Sequence, residues 1–307
     1  MKKWVEADIP PQQGRSAVVT GTGGLGYEDA LALARAGADV ILAGRNAQKG
    51  AEAVARIREA VPGAPVRFES LDLASLRSVE DFARRLGGQL ESLDLLINNA
   101  GVMVPPERQE TADGFELQFG TNYLGHFALT AHLVPLLRRG KQPRVISLSS
   151  VAARQGRIDF EDMQSRKTYI PMRAYSQSKL ACLIFAFELQ RRSTAEGWGM
   201  TSIAAHPGVS RTELLHNAPG RGSLMSAARS AMWFLFQPAA QGALPTLFAA
   251  TAEDAAPGAY YGPHALSETR GYPALSKIPD RATDPSVARR LWQVSEQLAG
   301  LKIAAEA

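Results

Sequence analysis

Short apolar runs alternate with amphipathic segments along the first two thirds of the chain. The apolar runs are five or six residues long and rich in Val, Ile and Leu, which is typical of strands that are buried on both faces. They cover residues 16–20 (SAVVT), 39–43 (DVILA), 66–71, 93–98 (LDLLIN), 144–148 (RVISL) and 201–205. Helical periodicity lies between them, at residues 25–36, 47–60 and 75–86.

This alternation predicts an α/β protein with a single doubly wound, Rossmann-type parallel sheet flanked by helices. No repeat, low-complexity tract or long polar linker divides the sequence, so we predict one domain over residues 1–307. Residues 1–14 are predicted to form an N-terminal arm, and residues 211–237 a small helical segment that covers the substrate. Ligands of such sheets bind at the carboxyl ends of the strands, so the candidate functional residues directly follow each strand.

Composition and charge restrict the function. The net charge is +4, but 34 basic residues are interspersed with 30 acidic ones, which gives nucleic-acid binding little support and still suits an anionic cofactor. The single cysteine, Cys182, excludes an internal disulfide, and residues 1–15 lack the apolar core of a secretory signal, so we expect a cytoplasmic protein. No apolar run reaches the roughly 18 residues that a membrane-spanning helix needs.

A glycine-rich loop, TGTGGLG at residues 20–26, follows the first strand. Gly21, Gly23 and Gly26 fit the spacing G-x-G-x-x-G, and Gly24 and Leu25 open the predicted helix. Glycine allows a tight turn, close approach to a pyrophosphate and packing of the helix on the strand, while the helix N-terminus offers N–H groups to phosphate. A glycine cluster can be a structural turn only, but its place between a strand and a helix favours a dinucleotide-binding loop.

The residues after the second and third strands bear on the choice of dinucleotide. The segment 44–46 (GRN) lacks the acidic residue that usually accepts the ribose hydroxyls of NAD. Arg45 can instead pair with a 2′-phosphate, which favours NADP(H) over NAD(H); the alternative is a solvated loop arginine. Asp72 could accept a hydrogen bond from the adenine amino group, although Asp is also common in turns.

A tyrosine and a lysine stand four residues apart in YSQSK at residues 175–179, and therefore share one helical face. A cation beside a phenol favours the phenolate, which makes Tyr175 a usable acid or base near neutral pH. This spacing also occurs by chance on protein surfaces. It gains weight here from polar residues that follow other strands, namely Ser149 and Ser150 after the fifth and the segment 98–101 (NNAG) after the fourth.

These motifs and their order resemble the short-chain dehydrogenase/reductase family, in particular its retinol-dehydrogenase-like and WW-domain oxidoreductase-like branch. The resemblance covers nearly all of residues 14–300. It rests on NNAG at 98–101, TNYLGHF at 121–127, VISLSS at 145–150, AYSQSKLA at 174–181 and HPGVSRTEL at 206–214. An insertion between Ser150 and Tyr175 that contains GRIDFEDM is also similar to that branch. The glycine loop is one residue shorter than the family pattern T-G-x-x-x-G-x-G.

The resemblance implies hydride transfer between nicotinamide and an alcohol or carbonyl carbon. It makes Tyr175 the proton donor or base, Lys179 the residue that holds the ribose hydroxyls, and Ser150 the donor to the substrate oxygen. Asn122 would position a water that links the lysine to solvent. Family members are often dimers or tetramers, so a homo-oligomer is one expectation. The implied cofactor-binding residues are Gly21, Gly23, Gly24, Leu25, Gly26, Arg45, Asp72, Leu73, Asn99, Ala100, Gly101, Tyr175, Lys179, Pro207, Gly208, Val209 and Thr212.

Other sites and other functions receive less support from the sequence. The five histidines are not at metal-ligand spacing, so we predict no metal site. The large apolar residues of the segment 211–237 favour a bulky apolar alcohol, ketone or aldehyde, although they could equally pack on the sheet or on another subunit. A dinucleotide-sensing scaffold or an epimerase could share the fold, but Asn122, Ser150, Tyr175 and Lys179 together favour an oxidoreductase. Because the glycine loop is short, we expect 2′-phosphate recognition to rest mainly on Arg45.

Overall fold

The protein is built on one eight-stranded sheet, in a computed structural model that describes residues 3–210 and 237–303. The strands are β1 (Ser16–Thr20), β2 (Asp39–Gly44), β3 (Val66–Ser70), β4 (Leu95–Asn98), β5 (Arg144–Leu148), β6 (Thr201–Ala205), β7 (Tyr260–Ala265) and β8 (Arg270–Leu275). Their spatial order is β3-β2-β1-β4-β5-β6-β7-β8. Neighbouring strands run parallel from β3 to β7, and β8 pairs antiparallel with β7 at the edge.

Helices cover both faces of this sheet. Within the described residues, they are α1 (Gly24–Arg35), α2 (Ala47–Ala60), α3 (Leu76–Gly87), α4 (Gly125–Leu137), α5 (Pro171–Glu196), α6 (Ala239–Thr251) and α7 (Pro285–Ala299). One hydrophobic core lies under α1, α2 and α6, and a second lies under α3, α4, α5 and α7. Because both faces are covered, successive residues of a strand are all buried: Val18 of β1 belongs to one core, and Ala17 and Val19 belong to the other.

The predicted fold class is confirmed, with one departure. The strands and helices predicted between residues 16 and 205 are present, and their ends differ by at most about two residues, as expected for such boundaries. The sheet is mostly rather than wholly parallel, because β8 returns after a short turn and pairs antiparallel with β7. The predicted substrate-covering segment lies outside the described residues except for Gln237, which pairs with Ser210.

The described part of the N-terminal arm, which starts at Lys3, packs on α6 and α1. Its Trp4 ring packs edge-on against Phe248 of α6, with the ring centroids 5.4 Å apart. Glu6 lies in a short 3₁₀ helix and accepts a hydrogen bond of 2.8 Å from Arg35 at the end of α1. Of the helices that the structure describes, none is long and apolar enough to cross a membrane.

Candidate active site

The glycine loop joins β1 to α1 by a turn that favours glycine at three of its positions. Gly21 and Gly24 have φ values of 99° and 52°, a backbone conformation that other residues rarely adopt. A Cβ on Gly26 would lie 2.5 Å from the carbonyl oxygen of Gly21, so any side chain there would displace the backbone. The N-cap of α1 is Gly23, which offers no side-chain acceptor, and the first N–H groups of α1 are therefore available to a phosphate.

Hydrogen bonds with Thr20 connect the segment after β4 to the start of the glycine loop. The Oγ1 atom of Thr20 accepts hydrogen bonds of 2.9 Å from the backbone N–H groups of Asn99 and Ala100. The Asn99 side chain in turn donates to the carbonyl oxygen of Thr20 at 2.7 Å. Sequence reasoning missed Thr20 as a functional residue, although the Thr-Gly pair at the end of β1 was a signal. Asn99 and Ala100, which the resemblance implies as cofactor-binding residues and which we call the dinucleotide floor, thus have a fixed position beside the glycines.

The predicted recognition site for the 2′-phosphate lies at the end of β2. Arg45 is exposed, and its guanidinium makes no hydrogen bond or ion pair with any residue that the structure describes. Thr22 was not among the predicted site residues, yet its side chain lies directly over Gly44, because a Cβ on that glycine would meet Thr22 Cγ2 at 3.0 Å. The short loop therefore still places a hydroxyl-bearing side chain beside Gly44, the residue before Arg45.

Asp72 and Leu73 follow β3 and differ in what they can offer a ligand. The Oδ1 atom of Asp72 accepts a hydrogen bond from the N–H of Ala74 at 3.0 Å, so one carboxylate oxygen stabilises the local turn. Leu73 is buried in the core beneath the start of α4, and a Cβ on Gly125 would lie 2.4 Å from its carbonyl oxygen. At Leu73, contact with an adenine would therefore involve the backbone rather than the side chain.

The two serines after β5 have different hydrogen bonds. The hydroxyl of Ser149 is buried and donates to the carbonyl oxygen of Lys179 at 2.8 Å. Ser150 is the N-cap of the 3₁₀ helix Val151–Gln155, and its Oγ accepts from the N–H of Ala152 at 3.2 Å. Since Ser150 uses its oxygen only as an acceptor there, its proton is free to be donated to a ligand.

Tyr175 and Lys179 lie one turn apart on α5, as predicted. Tyr175 is 7% exposed and borders the same cavity as Ser150. The Nζ atom of Lys179 donates to the carbonyl oxygen of Leu148 at 3.0 Å, which holds the ammonium at the end of β5. A Cβ on Gly101 would lie 3.6 Å from this Nζ and 3.1 Å from Asn122 Oδ1, so the glycine leaves open space between the two groups.

Asn122 lies in a π-helical stretch, Phe119–Leu124, that leads into α4. Its Oδ1 accepts a hydrogen bond from the N–H of Val102 at 2.7 Å. Its Nδ2 donates to the carbonyl oxygen of Val102 and to Ser178 Oγ, each at 3.0 Å. Its carbonyl oxygen accepts from His126 Nδ1 at 2.9 Å and from Cys182 Sγ at 3.2 Å. Asn122 therefore clamps the segment after β4 to α5, and its predicted role in holding a water stays a prediction.

His126 was considered in the sequence only as a metal ligand, and the structure gives it a different place. Complete burial, together with nearby Lys179, lowers the pKa of His126 to about 4, so the ring is neutral at neutral pH. Its Nε2 lies 2.9 Å from Thr20 Oγ1, and its Nδ1 bonds the carbonyl of Asn122. His126 thus connects Thr20 and Asn122. Among residues 3–210 and 237–303, no three His, Cys, Asp or Glu side chains converge as metal ligands.

A cavity of about 560 Å³ opens at the carboxyl ends of β5 and β6. Gly208, with a φ of 65°, passes so close to the turn after β7 that a Cβ would lie 2.3 Å from the carbonyl oxygen of Thr269. Of the predicted residues, Thr212 lies outside the described part of the chain. The cavity is lined by Leu25, Met103, Ser149, Ser150, Val151, Ala152, Arg154, Gln155, Met172, Tyr175, Pro207, Gly208, Val209, Ser210, Ser267 and Thr269.

Comparison with known proteins identifies the family. The family model described as short chain dehydrogenase matches residues 15–220, and the chain belongs to this family of oxidoreductases. It is 42% identical to retinol dehydrogenase 13 of Mus musculus, over 97% of this chain and 87% of that protein. It is 41% identical to polyprenol dehydrogenase of the same organism, over 95% and 86% of the two chains.

The structural comparison agrees with this assignment. A crystal structure of an uncharacterized protein from Mycobacterium paratuberculosis has 39% sequence identity and a TM-score of 0.82, and the match covers 99% of this chain and 100% of that one. The fold of the family binds nicotinamide dinucleotides, and the residues present fit such a group. The cradle at Gly101, which a Cβ would fill, and the uncapped start of α1 lie where its ribose and pyrophosphate would bind.

Proposed function

We propose that the protein is an NADP(H)-dependent oxidoreductase that interconverts a bulky apolar alcohol and the corresponding aldehyde or ketone. The observation that carries the proposal is the convergence of Ser150, Tyr175 and Lys179 at the end of β5, beside the glycine loop. The hydroxyl proton of Ser150 is free, because its Oγ only accepts from Ala152. Lys179 uses one of its three N–H donors for Leu148 and keeps the others for a ligand.

In the proposed mechanism, Tyr175 donates its hydroxyl proton to the carbonyl oxygen during reduction and takes it back during oxidation. Ser150 donates a hydrogen bond to the same oxygen and stabilises the charge that develops there. Lys179 keeps a positive charge near the phenol and uses its remaining N–H groups for ribose hydroxyls. The dinucleotide, held by the glycine loop and by residues 99–101, would supply or accept the hydride.

Two observations support a neutral, apolar substrate. The cavity has many apolar lining residues, and among those described only Arg154 carries a charge, which is matched by Glu268 at 2.5 Å. Among the described lining residues, an anionic substrate would find no unpaired cation, and burial of an unpaired charge is unfavourable. The relatives at about 40% identity are named for retinol and polyprenol, which are long apolar alcohols.

Tyr175→Phe tests the reaction. We expect turnover of retinal with NADPH to fall by about 10²- to 10⁴-fold, while the Kd for NADPH changes by less than about threefold, because only the transferable proton is removed. Turnover is followed by nicotinamide absorbance and binding by NADPH fluorescence. Tyr27→Phe is the control, since Tyr27 is a buried tyrosine of α1. Unchanged turnover would refute the mechanism, and no turnover of a broad carbonyl panel by the parent would favour a dinucleotide sensor.

Arg45→Ala tests the cofactor. Loss of a charge-assisted pair with the 2′-phosphate should raise the Kd for NADPH by about 10- to 100-fold and leave that for NADH nearly unchanged. Thr22 carries a neutral hydroxyl beside Gly44, the neighbour of Arg45, so we expect Thr22→Val to have a smaller effect in the same direction. Arg289→Ala, at an exposed arginine of α7, is the control. A retained preference for NADPH in Arg45→Ala would contradict the assignment.

A further inference from the structure

The turn between β7 and β8 has an unusual backbone. Leu266, Ser267 and Glu268 are consecutive and have φ values of 49°, 56° and 65°, in the left-handed region that residues with a Cβ rarely adopt. The two residues that flank Glu268 along the chain, Ser267 and Thr269, both line the cavity. A cavity wall is therefore built from a backbone that needs other contacts to hold it in place.

The carboxylate of Glu268 supplies these contacts. Its Oε2 lies 2.5 Å from a guanidinium nitrogen of Arg154 and 3.1 Å from His206 Nε2, and its Oε1 accepts from the N–H of Lys277 at 2.9 Å. The guanidinium of Arg154 also donates to the carbonyl oxygen of Ser267 at 3.3 Å. Three donors, two of them from segments distant in sequence, thus meet at one side chain, which is only 18% exposed.

The hydrogen bonds of His206 fix which of its nitrogens carries the proton. His206 Nδ1 faces the N–H of Gly208 at 3.2 Å and must accept, so the proton of the neutral ring is on Nε2. That proton points to Glu268 Oε2 and to Ser276 Oγ, which is 2.9 Å away. Burial lowers the pKa of His206 and outweighs the opposing effect of Glu268, so the ring acts as a neutral donor at neutral pH.

The charge on Glu268 is stable where it lies. Partial burial by itself raises the pKa of this carboxyl, but the hydrogen bonds from His206 and Lys277 and the charge of Arg154 together lower it to about 2. Charge-assisted hydrogen bonds of this kind are stronger than neutral ones. The carboxylate is therefore a strong acceptor throughout the pH range in which an oxidoreductase would be assayed.

Two of the three donors, Arg154 and His206, belong to segments that border the cavity. Arg154 ends the 3₁₀ helix that begins directly after Ser150, and His206 immediately precedes the Pro207–Val209 stretch of the cavity lining. The turn itself bonds that stretch, since the N–H of Val209 donates to the carbonyl oxygen of Thr269 at 2.8 Å. Glu268 thus connects the turn with the segments of Arg154 and His206, which form two other parts of the cavity wall.

We propose that Glu268 is a positioning and specificity-determining residue, which joins the turn 266–269, Arg154 and His206 and so sets the shape of the cavity that receives a bulky substrate. The inference rests on the proposed function for its kinetic test. Removal of the carboxylate lets the turn relax away from its left-handed conformation and displaces Ser267 and Thr269. The binding of a long substrate that reaches this wall is then weakened more than the binding of a short one that reaches only Ser150 and Tyr175.

The test is Glu268→Gln, which keeps the size of the side chain but cannot accept from three donors. With NADPH, we expect the KM for retinal to rise about tenfold, the KM for hexanal to change by less than about threefold, and kcat to stay within about threefold for both. Arg154→Met should also raise the KM for retinal, whereas Arg154→Lys should have a KM close to that of the parent. Glu161→Gln is the control, because Glu161 is 81% exposed and lies 3.6 Å from Arg290.

Equal losses for both aldehydes, or a fall in kcat at unchanged KM, would overturn the proposal, because a variant that merely folds less completely behaves in this way. A measurement without turnover separates this inference from the proposed function. Hydrogen exchange of the amides of Val209 and Lys277 should be at least about tenfold faster in Glu268→Gln than in Glu161→Gln. If exchange is faster in Glu268→Gln but the parent has no activity, the positioning role of Glu268 is supported and the proposed reaction is refuted. Unchanged exchange in Glu268→Gln would refute the positioning role.

Discussion

The glycine loop at residues 21–26 and the turn at residues 266–269 both place backbone in the left-handed region beside the cavity, by opposite means. The loop uses glycine, as at Gly21, which adopts a positive φ without steric cost. The turn uses Leu266, Ser267 and Glu268, each of which carries strain of about 1 kcal/mol or more. The loop is therefore specified by its own residues, whereas the turn depends on side chains that are distant in sequence.

The largest effect is expected from a substitution that disrupts the glycine loop. Gly26→Ala should lower the free energy of unfolding by about 3 kcal/mol, because its Cβ would meet the Gly21 carbonyl and the Asn99 amide, which are held by backbone contacts. NADPH binding should weaken in parallel. Gly87→Ala is the matched control: a Cβ there meets no atom within 4 Å, and stability should stay within about 1 kcal/mol of the parent. Denaturation by urea measures both, and equal stability of the two variants would contradict the packing argument.

Acid should destabilise the contacts of His126 beside the glycine loop at a higher pH than the contacts of Glu268 in the turn. The pKa of His126 is lowered to about 4 in the folded protein, so below the ordinary value of about 6.5 the unfolded chain binds a proton that the folded one does not. Stability therefore falls as the pH falls, by about 2 kcal/mol between pH 7 and pH 4.5 from this residue. The contribution of Glu268, whose folded pKa is about 2, is fully present above about pH 4.5 and is lost only below it.

Urea denaturation at pH 7 and pH 4.5 checks this difference. The parent and Glu268→Gln should lose similar amounts of stability between the two pH values, because Glu268 stays ionised in the folded protein over that range. His126→Gln should lose about 2 kcal/mol less than the parent, since it has no buried imidazole to protonate. An unchanged pH slope in His126→Gln would show that another buried group, such as His206, is responsible for the acid sensitivity.

The smallest effect concerns the strain in the turn. Leu266→Asn should raise the free energy of unfolding by about 0.5 kcal/mol, because asparagine tolerates the left-handed region better than leucine does. The side chain of Leu266 is 67% exposed, so little apolar burial is lost. Leu275→Asn makes the same change at another exposed leucine, in β8, where it should destabilise because asparagine is unfavourable in strands. The same sign for both variants would argue against stored strain.

The same contrast explains what the sequence could predict. The glycine loop, the segment 98–101 and the pair Tyr175 and Lys179 were recognisable because each depends on local spacing, and the apolar runs that define β1 to β6 depend on composition alone. The choice of Ser150 over Ser149 agrees with their hydrogen bonds, since Ser149 is committed to Lys179. The roles of these residues in the reaction stay predictions.

Other features could not be predicted because they depend on contacts between distant segments. Nothing in the residues around Glu268 indicates that Arg154 and His206 will meet it. The antiparallel β8 follows a turn without glycine at its left-handed positions, so the usual hairpin signal was missing. His126 gave only a weak signal as well, because a histidine in an apolar helix is commonly a core residue, and its link to Thr20 spans 106 positions.

The hydrogen bonds between Thr20 and the segment after β4 also have a consequence for the order in which the protein folds. Thr20 Oγ1 and the N–H of Ala100 are 80 positions apart, and β2, α2, β3 and α3 all lie between them. The ends of that long loop must come together before the dinucleotide floor exists, so we expect the floor to form late in folding. A chain cleaved between α3 and β4 would carry Thr20 on one piece and Ala100 on the other, and only reassociation of the pieces would recreate a complete floor.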